Sequence, residues 1–362
     1  GILTTDGDRW VRYRRASQPA FGRRFLAIAG ERMTATAAQV LDGWAGRSGQ
    51  GPFDVFPELM VLTVSTSVRA LFGAQLEASA ARRVVRALTD GQRYIYDTMG
   101  LPFALPRFIP TPGNRRFNRA TRDLAAVMRS AVADRRARVD EGDDLLAMLL
   151  RFRDEGGAAL GERELQDQML TALVAAPENT SSTLSWALYL LARHPAVESR
   201  LREEVAAVLG GRAPTVEELP RLAYTSAVIA EVLRLYPGAW SFDRRALGDD
   251  VVCGHAVPRG ALVFVSPYLT HRHPEFWADP ERFVPERFLD GGRAEGRAGY
   301  MPFGLGPRQC VGDRFARMTL ELVLPMLLQR FRFRMEGDRV VAPLPLVTLR
   351  PAGGMPLALA RA

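Results

Sequence analysis

Apolar positions recur at helical spacing through most of this chain, three and four residues apart, with polar faces between them. The pattern predicts helices over roughly 8–17, 30–46, 55–73, 77–98, 114–140, 143–154, 162–193, 196–208, 217–236 and 311–330. The breaks fall on residues that interrupt helices: Gly51-Pro52, Pro110-Thr111-Pro112-Gly113, Gly156-Gly157 and Gly210-Gly211. Strand-like runs are few and short: Val251–Cys253, Leu262–Ser266, Phe331–Met335 and Val347–Leu349. From Phe276 to Pro302 the chain is rich in proline, glycine and charge without a period, which predicts an ordered meander. No repeat, low-complexity tract or linker divides the sequence. The expectation is a single domain spanning 1–362, mainly α with small β-sheets.

Composition narrows this reading. The chain has 362 residues, 47% hydrophobic and 24% charged, as ordinary globular proteins have. Two cysteines exclude a disulfide framework and suit a reducing compartment, so the expected location is cytoplasmic. Cys253 falls in a strand-like run without a motif and reads as incidental. No run of eighteen apolar residues predicts a membrane span. The net charge is +8, carried entirely by arginine, since the chain contains no lysine. Those arginines are spread along the sequence and accompany no nucleic-acid motif, so nucleic acid is not an expected partner. They suit either a basic face for an acidic redox partner or a diffusely solvated surface.

One ten-residue segment carries chemistry: Phe303-Gly304-Leu305-Gly306-Pro307-Arg308-Gln309-Cys310-Val311-Gly312. It precedes a helical pattern, so Cys310 lies at a helix N-terminus, where free N–H groups and the dipole favour a negative sulfur. Glycines at 304, 306 and 312 allow tight turns. Arg308 offers a guanidinium to a carboxylate. A lone cysteine is more often buried and inert, but the residues around this one form a full pattern.

The segment resembles the haem-binding loop of the cytochromes P450, Phe-x-x-Gly-x-Arg-x-Cys-x-Gly, at every fixed position. The resemblance extends over essentially the whole chain and implies the P450 fold. It also implies haem b, with Cys310 as the axial thiolate and Phe303, Gly304, Arg308 and Gly312 around it. Thiolate ligation favours O–O cleavage at such an iron. The family places Trp or His, then Arg four residues later, against the haem propionates, which here are Trp10 and Arg14. Arg244, five residues before Asp249, is the third propionate contact by spacing, with Arg245 adjacent. Glu231 and Arg234, three apart on one helix, with Arg287 downstream, correspond to a buried structural charge network behind the loop. Family members carry roughly a hundred residues before the point matching Gly1, so a start lacking the first helices and part of the small sheet is expected.

The helix near 162–193 departs from its family. Where the pattern is Ala/Gly-Gly-x-Glu/Asp-Thr-Thr/Ser, this chain reads Ala175-Ala176-Pro177-Glu178-Asn179-Thr180. The following Trp186-Ala187-Leu188-Tyr189 run sets the register and puts Asn179 where the oxygen-activating threonine is expected. Pro177 lacks an N–H and predicts a kink or widening. Glu178 retains the acid of the proton relay, and Thr180 supplies a neighbouring hydroxyl. An asparagine can donate a hydrogen bond or hold a water, but cannot relay a proton through itself as a hydroxyl can.

Substrate contacts implied by the resemblance fall at Ala176, at Trp240 in Ala239-Trp240-Ser241, and at Val347. Trp240 and Phe242 either form an aromatic wall or pack in the core. None of the four histidines has metal-ligand spacing, and His271-x-His273 resembles a family run without a catalytic role. The implied function is a bacterial-type monooxygenase, monomeric, inserting one oxygen atom from O₂ into a small hydrophobic substrate. Its electrons come from NAD(P)H through a separate reductase and a ferredoxin or flavodoxin. Two rivals stand beside it. One is a peroxygenase, or a hydroperoxide isomerase or dehydratase, on the same scaffold. The other is a non-catalytic haem protein of a biosynthetic assembly.

Overall fold

The computed structural model describes residues 1–99, 105–137, 142–289 and 299–362. Its helices are α1 (Gly7–Ser17), α2 (Arg23–Asp42), α3 (Phe56–Phe72), α4 (Ala78–Met99), α5 (Pro112–Ala137), α6 (Leu145–Arg151), α7 (Glu162–Arg193), α8 (Pro195–Leu209), α9 (Ala223–Leu235), α10 (Pro267–Thr270) and α11 (Asp313–Arg330). Helix ends follow local chemistry. Gly73 closes α3 and Gly210 closes α8, both at left-handed φ, a conformation that glycine adopts without a Cβ penalty. Asp144 caps α6 by accepting from the Ala147 N–H at 3.1 Å.

The core forms where α3 packs between α2 and α7. Leu59, Leu62, Val64 and Val68 of α3 are fully buried, as are Leu184, Trp186 and Leu188 of α7. A helix buried nearly all round is a central one, and α3 and the second half of α7 are of that kind. Truncating one such leucine to alanine costs about 2–5 kcal/mol.

Among the described residues, nine short strands flank the helices. β1 (Pro52–Asp54), β9 (Pro356–Arg361) and β6 (Phe331–Arg334) form one antiparallel sheet in that order. β2 (Phe242–Arg245) pairs with β5 (Leu262–Val265), β3 (Asp250–Val252) with β4 (His255–Val257), and β7 (Pro343–Pro345) with β8 (Leu349–Pro351).

The structure corrects several boundaries. The helix expected over 217–236 is a 3-10 turn, Val216–Arg221, followed by α9, because Pro220 cannot continue an α-helix. α2 begins at Arg23, ahead of the expected 30. The expected strand Val347–Leu349 is a turn followed by β8. Cys253 is not in a strand: it occupies the β3–β4 turn at φ 51° and is exposed. α7 runs through Pro177 without interruption.

Candidate haem site

The cysteine loop is shaped by its own backbone. Cys310 N–H donates to the Phe303 carbonyl at 2.9 Å, closing the loop, while Gly304 N–H bonds Met301 O at 3.0 Å and Gln309 N–H bonds Gly306 O at 2.9 Å. Gly304 and Gly306 sit at φ 72° and 75°, so glycine is required there by conformation. Gly312, the residue before α11, has an ordinary negative φ and only the Phe21 ring near its missing Cβ, at 3.5 Å. Its contribution is its backbone N–H, which favours a negative charge on the Cys310 sulfur.

Cys310 keeps accessible surface, yet protein packs around it on most sides. Burial pushes its thiol above the ordinary range. The Gly312 N–H opposes that shift, Asp313 adds to it, and Arg14 weakly offsets it. The helix start therefore does not by itself yield a thiolate. A bound metal cation would, since a coordinating thiol is deprotonated outright.

Three of the four expected propionate partners converge on this loop. Arg14 Nη1 donates to the Gln309 carbonyl at 2.7 Å. The Arg308 guanidinium lies 4.5 Å from the centre of the Trp10 ring, donates to Thr5 O at 2.8 Å, and pairs with Asp6. Asp6 is 95% exposed, so that ion pair is weak and yields readily to another carboxylate. Arg244 is exposed on β2, opposite Val263 of β5 and 4.7 Å from the Phe242 ring. Among the described residues, no hydrogen bond or ion pair joins it to the cysteine loop. Strand alternation does separate it from Arg245, which bonds the Gly260 carbonyl.

Behind the loop, Glu231 and Arg234 are both fully buried and form a two-point pair at 2.7 and 2.8 Å. Arg234 also donates to the carbonyls of His271, Pro280 and Arg282. Arg287 Nε lies 3.5 Å from Glu231, which also accepts from the Val284 N–H. Sequence reasoning missed the member that ties this network to the cysteine loop. His271 is fully buried, with Nδ1 3.0 Å from Arg234 O and Nε2 accepting from the Met301 N–H at 2.8 Å. Since Nε2 accepts, the ring is neutral with its proton on Nδ1. Burial, assisted by Arg234 and Arg272, pushes its pKa down to about 4.

On α7, the three expected catalytic residues do different things. Glu178 is fully buried. Its Oε1 accepts from Thr348 Oγ1 at 2.5 Å and from Arg350 Nε at 2.7 Å, and its Oε2 is met by Gln92 of α4. Glu178 thus joins α7 to α4 and to β8. Asn179 Nδ2 donates to Ala175 O at 2.9 Å, and Thr180 Oγ1 donates to Ala176 O at 2.8 Å. Nothing in the local sequence marks Arg350 as a partner of Glu178, because the two are 172 residues apart.

The expected substrate segments do meet. The Trp240 indole N–H donates to Leu346 O at 2.8 Å, and Leu349 N–H donates to Gly238 O at 3.1 Å. Trp240 is half-buried and tied, so it both packs and forms part of this wall. Val347 is 45% exposed, Ala176 is half-buried, and Ala175 and Ala239 are exposed.

A family model described as "Cytochrome P450" matches residues 1–356. Among curated proteins, pentalenene oxygenase of Streptomyces avermitilis is 37% identical over 96% of this chain and 77% of its own length. Cyclooctatin synthase of Streptomyces melanosporofaciens is 35% identical over 99% of this chain and 76% of its own length. Cyclooctat-9-en-7-ol 5-monooxygenase of the same organism is 36% identical over 89% and 70%. Among the described residues, no helix is long and apolar enough to cross a membrane.

Proposed function

Because this chain belongs to the cytochrome P450 family, a family of haem-dependent monooxygenases, we propose that it is a single-domain haem b protein whose iron is held by Cys310. The observation that carries the reading is the convergence of Trp10, Arg14 and Arg308 on the loop presenting that thiol. A sulfur donor beside an indole and two guanidiniums is the donor set that an iron porphyrin with two carboxylates requires. Arg244 joins that set only through its place in the sequence.

Haem, when bound, supplies O₂ activation through a thiolate-ligated iron. The chain's own residues do the rest. The Gly312 N–H steadies the Cys310 sulfur, and Arg14, Arg308 and Trp10 orient the carboxylates. Ala175, Ala176, Ala239 and Val347 offer a small, apolar surface to a compact hydrophobic substrate. Such substrates suit the names of the relatives, which act on pentalenene and cyclooctat-9-en-7-ol. Two electrons come from NAD(P)H through a separate reductase and a ferredoxin or flavodoxin, and the monomeric protein works in the cytoplasm.

A second reading, use of a peroxide in place of O₂ and reductase, is favoured by one observation. Position 179 carries no hydroxyl, and Asn179, Thr180 and Glu178 all spend hydrogen-bonding groups on other protein groups rather than on a proton relay.

The test is the absorption spectrum of the haem-loaded, reduced protein under CO. A band at about 450 nm that is lost in Cys310→Ser is expected for thiolate ligation. A well-folded protein that binds haem equally in both forms, with one unchanged spectrum, would overturn the assignment of Cys310. Product formation with hydrogen peroxide but none with O₂ and reductase would decide for the second reading.

A further inference from the structure

Gly238 is a glycine for which the backbone has no need. It is absent from the residues of this chain at positive φ, so any L-residue could adopt its conformation. It is buried, and its carbonyl is held by Leu349 N–H. What excludes a side chain there is Asn179. A Cβ built on Gly238 would lie 2.4 Å from Asn179 Oδ1, 3.2 Å from its Cγ and 3.4 Å from its Cβ. The first distance is an overlap that real structures do not contain, and the obstacle is a short side chain fixed by a hydrogen bond.

That hydrogen bond also fixes which way the amide faces. Ala175 O can only accept, so the Asn179 atom 2.9 Å from it is the NH₂ group, and the oxygen is the end against Gly238. The carboxamide therefore lies in a niche between α7 and the 236–240 segment. With the amide folded into that niche, the exposed Ala175 one turn earlier on the same face of α7 remains uncovered.

We propose that Gly238 and Asn179 form one specificity-determining unit: the missing side chain at 238 parks the Asn179 amide and keeps the space beside Ala175 open for a bulky substrate. Both residues flank wall segments described above, Asn179 beside Ala176 and Gly238 two residues before Trp240. A methyl group at 238 displaces the amide from the niche toward the space beside Ala175, narrowing it. Shortening residue 179 removes the obstacle and makes 238 tolerant. The proposal deepens the haem reading and rests on it for its ligand-binding arm alone.

The experiment is a four-protein cycle of wild type, Asn179→Ala, Gly238→Ala and the double variant. Each haem-loaded protein is titrated with imidazole and with 4-phenylimidazole, following the haem absorption. Thermal unfolding is measured on the same four without azole. In Gly238→Ala, affinity for 4-phenylimidazole should fall about tenfold or more and that for imidazole less than about threefold, with the double variant within about threefold of wild type for both. The unfolding midpoint should fall in Gly238→Ala and recover in the double variant. If Gly238→Ala does not fold, the double variant must. Equal effects of Gly238→Ala with and without Asn179 would overturn the proposal, as would failure of both variants to fold. Absence of an azole spectrum in every protein would instead count against the haem reading, with the unfolding cycle still deciding the pair.

Discussion

His271 makes the region behind the cysteine loop sensitive to acid, by an amount that can be worked out. Its folded-state pKa is pushed down to about 4 from an ordinary 6.5. Between those values the unfolded chain binds a proton that the folded chain refuses, so stability is complete above pH 6.5 and is lost as pH falls toward 4. Each pH unit in that window costs about 1.4 kcal/mol, so from pH 6.5 to 5 the loss is about 2 kcal/mol. His271→Gln removes the titration while keeping a donor and an acceptor. Urea unfolding of both proteins, followed by tryptophan fluorescence at pH 7.5 and pH 5, isolates the histidine, because the carboxylates titrate in both. At pH 7.5 the variant is the less stable, since its longer amide fits the two hydrogen bonds poorly. Its deficit should shrink by about 2 kcal/mol at pH 5. A deficit that stays constant across that range would refute the neutral, doubly bonded ring.

Three further outcomes follow from the geometry. Arg350→Met strips the cation from buried Glu178 and should destabilise the protein by about 3 kcal/mol, the low end for a broken buried pair because Thr348 still donates. Most of that loss should return in the Glu178→Gln, Arg350→Met double variant, as measured by urea unfolding. Arg14→Gln should speed haem transfer to an acceptor apoprotein several-fold, read from absorbance, while leaving the unfolding midpoint of the haem-free protein within a few degrees. Asn179→Thr should raise the fraction of O₂ consumption coupled to product when a redox partner drives turnover. Unchanged coupling would mean that proton delivery avoids position 179.

The long helices were legible because a 3.6-residue period persists over many turns, as in α7, whose bounds agree with the pattern. The sheets were not, because strands of three or four residues are too short to show alternation. β1 and β9 pair residues 52–54 with 356–358, a partnership that no local signal announces. The site divides in the same way. The cysteine loop, Trp10 and Arg14 lie in contiguous motifs. Gln92, Thr348 and Arg350, which surround Glu178, stand alone in the sequence and become a group only through packing. His271 was visible as a residue, but its role was not, since it bonds two backbone groups that the chain brings together only on folding.

The reach of Arg234 has a consequence for how this protein tolerates change. One guanidinium collects the carbonyls of residues 271, 280 and 282, so a stretch without helix or strand is held by what every amino acid shares. Side chains along 272–283 that point outward are therefore open to replacement, whereas an insertion or deletion there shifts the carbonyls out of reach. Libraries built by substitution in this stretch should remain largely folded, and those built by altering its length should not.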